Sequence, residues 1–259
     1  AAVVDVPDRP KLGEVAPGFP TVIDPEPAVI PPISGNPQTT GRRTALAKWI
    51  ASPTNPLSTR VIVNRIWKGH FGTGLVETPS NFGVAGERPS HPELLDYLAQ
   101  LFIERKLSIK ALHREIMRSA TYQLGTANNQ AAFDKDSGNR LYWRANRHRM
   151  SAEQIRDAIL MVSGALDVRV GGPSVALTPL GVRRTVYGKV SRYKLDEFLQ
   201  LFDFPSPSQT AEQRFSTNVP LQRLFFMNSD FMQQHAERLA EQVADEPDDA
   251  ARIEKVYRK

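Results

Sequence analysis

Two groups of side chains in this sequence could bind anions or transfer protons. The segment NRLYWRANRHRM, residues 139–150, supplies four candidate anion ligands: Arg140, Arg144, Arg147 and Arg149. If the segment is helical, Arg140, Arg144 and Arg147 lie within about 60° of one another, and their planar guanidinium groups suit phosphate, sulfate or carboxylate. The alternative is that these arginines pair with acids such as Glu153, Asp157 or Asp203 and hold helices together.

His70 and Asp203 are the candidates for acid–base chemistry. His70 precedes an aromatic residue and a glycine-rich turn, in the segment WKGHFGTG. Asp203 lies between two phenylalanines, so if it is buried it needs a partner, and Arg192 or Arg214 is the obvious one. Two interpretations stay open, since the pair can be a structural salt bridge or the floor of a polar pocket.

Metal and thiol chemistry find little support in the sequence. The chain has no cysteine, which excludes thiolate nucleophiles, iron–sulfur clusters and covalent haem attachment. None of its five histidines form a pair three or four residues apart, so no local metal site is predicted. His113 falls in an apolar stripe and is predicted to be a core histidine with one hydrogen bond. The usual short catalytic motifs are absent as well.

The segment NPLSTRVIVNRIWKGHFG, residues 55–72, is predicted to be a helix that Asn55 caps. Apolar residues cover so many of its sides that we expect a strut inside a bundle. Arg60 and Asn64 should then be partly buried and hydrogen-bonded. The polar network candidates over the whole chain are Arg60, Asn64, Arg192, Asp203, Arg214 and Asn228.

Other elements follow from capping and turn signals. Ser90 and Ser151 each begin a sequence typical of a capping box. In this motif the side chains of the serine and of the residue three positions later each accept a hydrogen bond from the other's backbone N–H. Residues 175–190 are β-branched and alternate loosely, which predicts a short strand or hairpin. The predicted fold is mainly α, a multi-helix orthogonal bundle with that small β insertion and an extended proline-rich arm.

Composition sets the domain organisation. At 259 residues and 41% hydrophobic content the chain can bury a sizeable core. Nine of the first forty residues are proline, so residues 1–38 are predicted to be an extended arm or linker packed on the surface. Residues 39–259 are predicted to form a single mainly helical domain, truncated at its C-terminus. No apolar run is long enough for a membrane span.

Positive charge is concentrated in the middle of the chain. Residues 140–194 contain eleven Lys or Arg and three acids, a local net charge of +8 within a total of +5. An anionic partner should therefore be sought there. Nucleic acid is an unlikely partner, because no known nucleic-acid-binding module is present.

Several long segments together resemble one family. They are TGRRTALAKWIASPTNPLSTRVIVNRIWKGHFGTGLVETPSNFG, IKALHREIMRSATYQL, NRLYWRANRHRMSAEQIRDAIL, FDFPSPS and VPLQRLFFMNSDF. The chain is similar to the planctomycete secreted-protein domain of unknown function, which follows cytochrome-c-like domains in large exported proteins. The resemblance implies an extracytoplasmic location, periplasmic or secreted, haem only in upstream domains, and a helical region that continues past Lys259. It supplies no catalytic residues.

Together these observations predict a non-catalytic interaction or scaffold module of a cytochrome-c-associated envelope protein. Its expected partners are other domains of the same polypeptide and acidic or sulfated polysaccharide bound by the arginines. No cofactor is expected in this chain. The first alternative is an enzyme domain that acts on polysaccharide through His70 and Asp203, and the second is a nucleic-acid-binding domain.

Overall fold

A computed structural model describes the backbone of residues 4–5, 14–31, 39–177 and 181–259, with side chains from residue 16 on. The described chain is mainly helical, as the sequence predicts. Its helices are Arg42–Ile50 (α1), Ser58–Phe71 (α2), Pro92–Glu104 (α3), Ile109–Arg118 (α4), Gln130–Lys135 (α5), Ala152–Val162 (α6), Glu197–Leu201 (α7), Pro220–Asn228 (α8), Asp230–Glu241 (α9) and Asp249–Tyr257 (α10). No helix in these ranges is long and apolar enough to cross a membrane.

The chain divides into two compact units, residues 1–147 and 148–259. The sequence predicts one domain from residue 39 on, and the division falls within it. The described part of the arm begins with two short antiparallel strands, Val4–Asp5 (β1) and Glu14–Val15 (β2). Further along, Phe19 stacks on Trp49 of α1 at 4.7 Å between ring centroids. The indole nitrogen of Trp49 also donates to Asp24 at 3.0 Å.

The core of the first unit lies where α2, α3 and α4 pack together. Its centre is formed by apolar residues at helical spacing: Val63, Trp67 and Phe71 of α2, Leu95, Leu98 and Phe102 of α3, and Leu112 and Ile116 of α4. Leu75, Val76 and Tyr142 join the same cluster from segments outside the helices. The helices therefore bury one stripe each and leave their opposite faces to solvent.

The two predicted capping boxes have different outcomes. At α6 the Ser151 hydroxyl accepts from the Gln154 backbone and the Gln154 side chain accepts from the Ser151 backbone, so the prediction is confirmed. At α3 the prediction is wrong, because the helix begins at Pro92 and no side chain caps it. Ser90 instead donates to the carbonyl of Leu75 at 3.3 Å, which ties the start of α3 to the core loop.

The second unit is organised around an aromatic cluster and one buried arginine. Phe198, Leu199 and Phe202 pack with Leu177 in its core. Arg156 of α6 is fully buried, and its guanidinium donates to the carbonyls of Arg183, Leu177 and Gly181 and to the Thr185 hydroxyl. One buried cation thus holds Leu177 together with residues 181–185.

The β hairpin predicted for residues 175–190 is not formed in the described part of this segment. The segment makes single parallel bridges, one between Val175 and Gly188 and one between Asp167 and Arg183. Residues Thr185–Tyr187 form a 3-10 turn. The prediction fails because the loop is organised through the buried Arg156 side chain, and a side chain that takes up these carbonyls leaves no continuous ladder between strands.

Candidate functional site

The loop after α2 is held in place by Asn64. This residue is fully buried. Its side-chain amide donates to the carbonyl of Val76 at 2.9 Å, and its side-chain oxygen accepts from the Val76 backbone N–H at 2.8 Å. Gly74 passes so close that a Cβ at this position would lie 2.8 Å from the Asn64 side chain. The predicted burial of Asn64 is therefore seen, and the residue positions a loop.

Arg60, one turn before Asn64, faces a different environment. Its Nε donates to Asp96 of α3 at 2.7 Å, and its guanidinium also donates to the Pro56 carbonyl at 2.6 Å. The side chain is partly exposed, at 34%. Arg60 thus joins α2 to α3 at the surface, where an ion pair contributes little stability.

Trp67 connects α2 to the arginine-rich segment. Its indole N–H donates to the hydroxyl of Tyr142 at 2.9 Å, and that hydroxyl donates to the carbonyl of Thr73 at 3.3 Å. Burial raises the pKa of the Tyr142 phenol, the hydrogen bond from Trp67 lowers it, and the nearby Glu77 adds to the rise. The phenol consequently stays protonated and keeps its donor role.

Residues 136–147 form a compact loop, which we call the arginine loop. The Asp136 carboxylate accepts from the backbone N–H groups of Arg140 and Leu141, at 2.9 and 2.8 Å. The buried Asn139 donates to the Arg144 carbonyl at 2.8 Å and to the Asn146 side chain at 2.9 Å. These bonds close the loop on itself, so its backbone is fixed before any partner binds.

The predicted clustering of Arg140, Arg144 and Arg147 requires a helix, and this helix is not formed. Asn139 and Tyr142 take positive φ values of 53° and 55°, a left-handed backbone that interrupts a right-handed helix. Arg140 and Arg147 are exposed, while Arg144 is half-buried with its guanidinium 4.7 Å from the Trp143 ring. The three arginines therefore lie on one fixed loop, and not on one helical face.

Within the described residues, Arg140, Arg144 and Arg147 form no ion pair. The pairing with Glu153, Asp157 or Asp203 that the sequence left open does not occur for these three. The Nε of Arg144 is buried and has no hydrogen-bond partner among the described residues. Arg140 also lines a polar cavity of about 80 Å³ with Glu77, Ser90 and Tyr142.

Arg149 belongs to the second unit and has a different role. Its guanidinium donates to the Thr217 carbonyl and lies 6.0 Å from the centre of the Phe202 ring. Through these contacts Arg149 packs near the loop that carries Asp203. In the described chain, Arg149 is thus the one of the four candidate arginines whose side chain donates a hydrogen bond to the protein.

His70 and His113 meet across α2 and α4. The distance from His70 Nε2 to His113 Nδ1 is 2.7 Å, a hydrogen bond in which one ring nitrogen donates and the other accepts. Burial lowers the pKa of His70, and the neighbouring His113 lowers it further. His113 is half-buried with this one hydrogen bond. The sequence missed the pair, because the two residues are 43 positions apart and no local spacing relates them.

Asp203 has a partner other than the predicted arginines. Its carboxylate accepts from the Thr217 backbone at 2.7 Å and from the Thr217 hydroxyl at 2.8 Å. Arg214 pairs with Glu153 at 2.7 Å. Burial acts to raise the pKa of Glu153, but the hydrogen bonds from Arg214, Ser151 and the backbone, together with the charge of Arg214, lower it overall. The prediction of an Asp203 pair with Arg192 or Arg214 is therefore wrong.

The remaining polar candidates of the second unit are peripheral. Arg192 is exposed and accepts a hydrogen bond through its carbonyl from Ser208, and Asn228 is exposed at the end of α8. Asp203 lines a cavity of about 470 Å³ with Phe204, Glu212 and Arg214. No group of three or more His, Asp or Glu in the described part of the chain could hold a metal ion.

These features define the chain as a mainly helical protein in which residues 136–147 form a hydrogen-bonded loop. A family model described as "Protein of unknown function (DUF1553)", PSD1, matches residues 42–259. The chain belongs to this family, which confirms that it is a domain of unknown function. Neither the curated proteins nor the solved structures contain a match to it.

Proposed function

We propose that this chain is a non-catalytic interaction module which binds an anionic partner through Arg140, Arg144 and Arg147 of the arginine loop. The partner class is acidic or sulfated polysaccharide, or an acidic surface of another domain of the same polypeptide. The module would belong to a large exported envelope protein with cytochrome-c-like domains upstream. This setting rests on the resemblance of the sequence motifs to planctomycete secreted proteins.

One observation carries the proposal: the arginine loop is closed by its own hydrogen bonds, and its three guanidinium groups form no ion pair within the described chain. The Asp136 carboxylate stabilises the loop through backbone N–H groups, so it does not pair with the arginine side chains. A fixed backbone lowers the conformational entropy lost on binding, and guanidinium groups bind sulfate and carboxylate with paired hydrogen bonds.

Binding of the chain to sulfated glycans, uronate glycans and double-stranded DNA at two salt concentrations tests the proposal. The double variant Arg140→Gln/Arg147→Gln should bind an anionic glycan about tenfold more weakly than the unaltered chain, because two of three charges are lost. The matched control is Arg43→Gln/Lys48→Gln, which removes the same charge from α1, where both residues are exposed and unpaired in the described chain.

Equal losses in the two double variants would show that only net charge matters, and would contradict a site at the arginine loop. Binding to no anionic polymer at either salt concentration would contradict it as well. Preference for DNA over every glycan would instead favour the nucleic-acid alternative. We also expect the loop variant to elute from an immobilised anionic glycan at a lower salt concentration than the unaltered chain, because salt screens exposed charge contacts.

A polysaccharide-acting enzyme is the second candidate, and the Asp203 cavity of about 470 Å³ is what favours it. Its volume is in the range of ligand pockets, and two carboxylates and an arginine line it. Release of new reducing ends from a polysaccharide, lost in Asp203→Asn and kept in Asp245→Asn at an exposed position, would support this candidate. The absence of release from every polysaccharide that the chain binds would leave the interaction module as the better account.

A further inference from the structure

The solvent-facing side of α4 carries a row of cations. Lys110, Arg114 and Arg118 follow one another at intervals of four residues, and all three are exposed. With 1.5 Å of rise per residue the row spans about 12 Å along the helix. The opposite side of α4 packs Leu112 and Ile116 into the core, so the direction of the cationic row is fixed by the fold.

This row is electrostatically unfavourable by itself. In the described chain none of its three cations forms an ion pair. Like charges four residues apart on a helix repel each other, and Lys110 adds a positive charge in the first turn, where the helix dipole disfavours it. Glu115, the acid of α4, lines a second cavity together with Arg118, but the two side chains form no ion pair in the described chain. A bound anion would relieve this repulsion.

The row borders an open depression with room for a ligand. A cavity of about 400 Å³ is lined by Lys110, His113, Arg114, Met117 and Arg118, and by no acid. The hydrogen bond with His70 orients the His113 ring and occupies its Nδ1, which leaves Nε2 as the nitrogen that can meet a ligand. The surface thus combines three cations, an oriented imidazole and one flexible apolar side chain.

We propose that this α4 face binds a linear acidic polysaccharide, with its charged groups against Lys110, Arg114 and Arg118. A row of about 12 Å fits two or three charged groups of a polymer better than one small ion. Single-stranded nucleic acid usually needs large aromatic rings for its bases to stack on, and the residues that line the cavity include no Phe, Tyr or Trp. The inference needs no binding at the arginine loop, so either proposal can fail alone.

The test compares Lys110→Gln/Arg114→Gln with Arg43→Gln/Lys48→Gln, both in the full chain. Each variant replaces one lysine and one arginine, so the loss of charge and of residue types is the same. The probes are heparin for sulfate esters, polygalacturonate for carboxylates, and a DNA oligonucleotide, measured by calorimetry at two salt concentrations. The α4 variant should bind heparin or polygalacturonate about tenfold more weakly, and its affinity should depend less on salt concentration. The affinity of the control should change by less than about twofold.

The charge-preserving variant Lys110→Arg/Arg114→Lys guards against a folding defect and should bind within about threefold of the unaltered chain. Binding that is unchanged in Lys110→Gln/Arg114→Gln, or weakened equally in the control, would overturn the proposal. If binding weakened in Arg140→Gln/Arg147→Gln alone, the α4 proposal would be overturned and the proposal for the arginine loop would stand. Tighter binding to DNA than to both polysaccharides would overturn the assignment of the ligand class.

Discussion

At the scale of single residues, buried amides do the positioning in the first unit. Asn64 supplies the hydrogen-bond partners that the backbone of Val76 lacks, and Asn139 does the same for Arg144. A short amide can act as donor and acceptor at once, which suits a loop that has no neighbouring strand. The burial of Asn64 follows from the apolar residues around it in the sequence, but the role of Asn139 does not.

Replacement of Asn64 by leucine should disrupt folding more than binding. The substitution leaves the N–H and C=O of Val76 buried without partners, and we expect the free energy of unfolding to fall by about 2–4 kcal/mol. Urea denaturation measures this value. Asn128→Leu at an exposed position is the control, with a change within about 0.5 kcal/mol. Normal stability combined with lost ligand binding would contradict the structural role.

At the scale of elements, α2 is the part that brings the others into position. It contacts α3 through Arg60, holds the 72–76 loop through Asn64, reaches the arginine loop through Trp67, and meets α4 through His70. Its buried residues are Thr59, Val63, Asn64, Trp67 and Phe71, while Arg65 and Gly69 stay exposed. The predicted position inside the bundle is thus seen for one face of α2, whereas Ile62 on its outer face is exposed.

The arginine loop should lose its fixed conformation in Asn139→Ala. Alanine removes the hydrogen bonds to Arg144 and Asn146, and it tolerates the left-handed backbone less well than asparagine. We expect a loss of about 1–3 kcal/mol in the free energy of unfolding and faster amide hydrogen exchange at residues 140–146.

Hydrogen exchange with mass spectrometry resolves the effect of Asn139→Ala. Asn129→Ala, which removes the side-chain cap of α5, costs about 1 kcal/mol but should leave exchange in the arginine loop unchanged. If the two variants raise exchange in the arginine loop equally, then Asn139 is not its organiser. Weaker binding of anionic glycans in Asn139→Ala alone would connect the order of the loop to the proposed function.

At the scale of the whole molecule, each unit contains a histidine that the fold keeps neutral. Burial and His113 lower the pKa of His70 in the first unit. In the second unit burial, followed by Arg238 and Arg156, lowers the pKa of His235, whose Nδ1 lies 2.8 Å from the Ser163 hydroxyl. Both groups have an ordinary pKa of 6.5, so the unfolded chain takes up protons at a higher pH than the folded one.

Stability should therefore fall as the pH decreases through about 6.5 and toward the lowered folded pKa values. Thermal unfolding at about pH 7.5 and pH 5.5 measures the change, in a window where most carboxylates stay ionised. The variant His70→Gln/His235→Gln should show a smaller difference between the two pH values. His148→Gln, at an exposed position, is the control. A difference that persists unchanged in the double variant would contradict this origin.

The sequence by itself determined the family, the mainly helical fold, the capping box at Ser151 and the buried position of Asn64. These depend on local spacing and composition, which the sequence states directly. It also determined that arginines are concentrated near residues 140–149, but not how they are arranged. The sequence leaves the pairing of the arginines open and predicts the wrong partner for Asp203, since each depends on residues that are distant in the sequence.

Only the tertiary structure decided that residues 136–147 form a hydrogen-bonded loop and that His70 meets His113. Positive φ values at Asn139 and Tyr142 prevent the helix. In this conformation Asn139 donates to the Arg144 carbonyl, and Tyr142 accepts from the Trp67 indole. The Trp67–Tyr142 bond spans 75 positions of sequence. Helical periodicity reports on neighbours three or four residues apart, whereas such contacts depend on how helices pack, which no local pattern encodes.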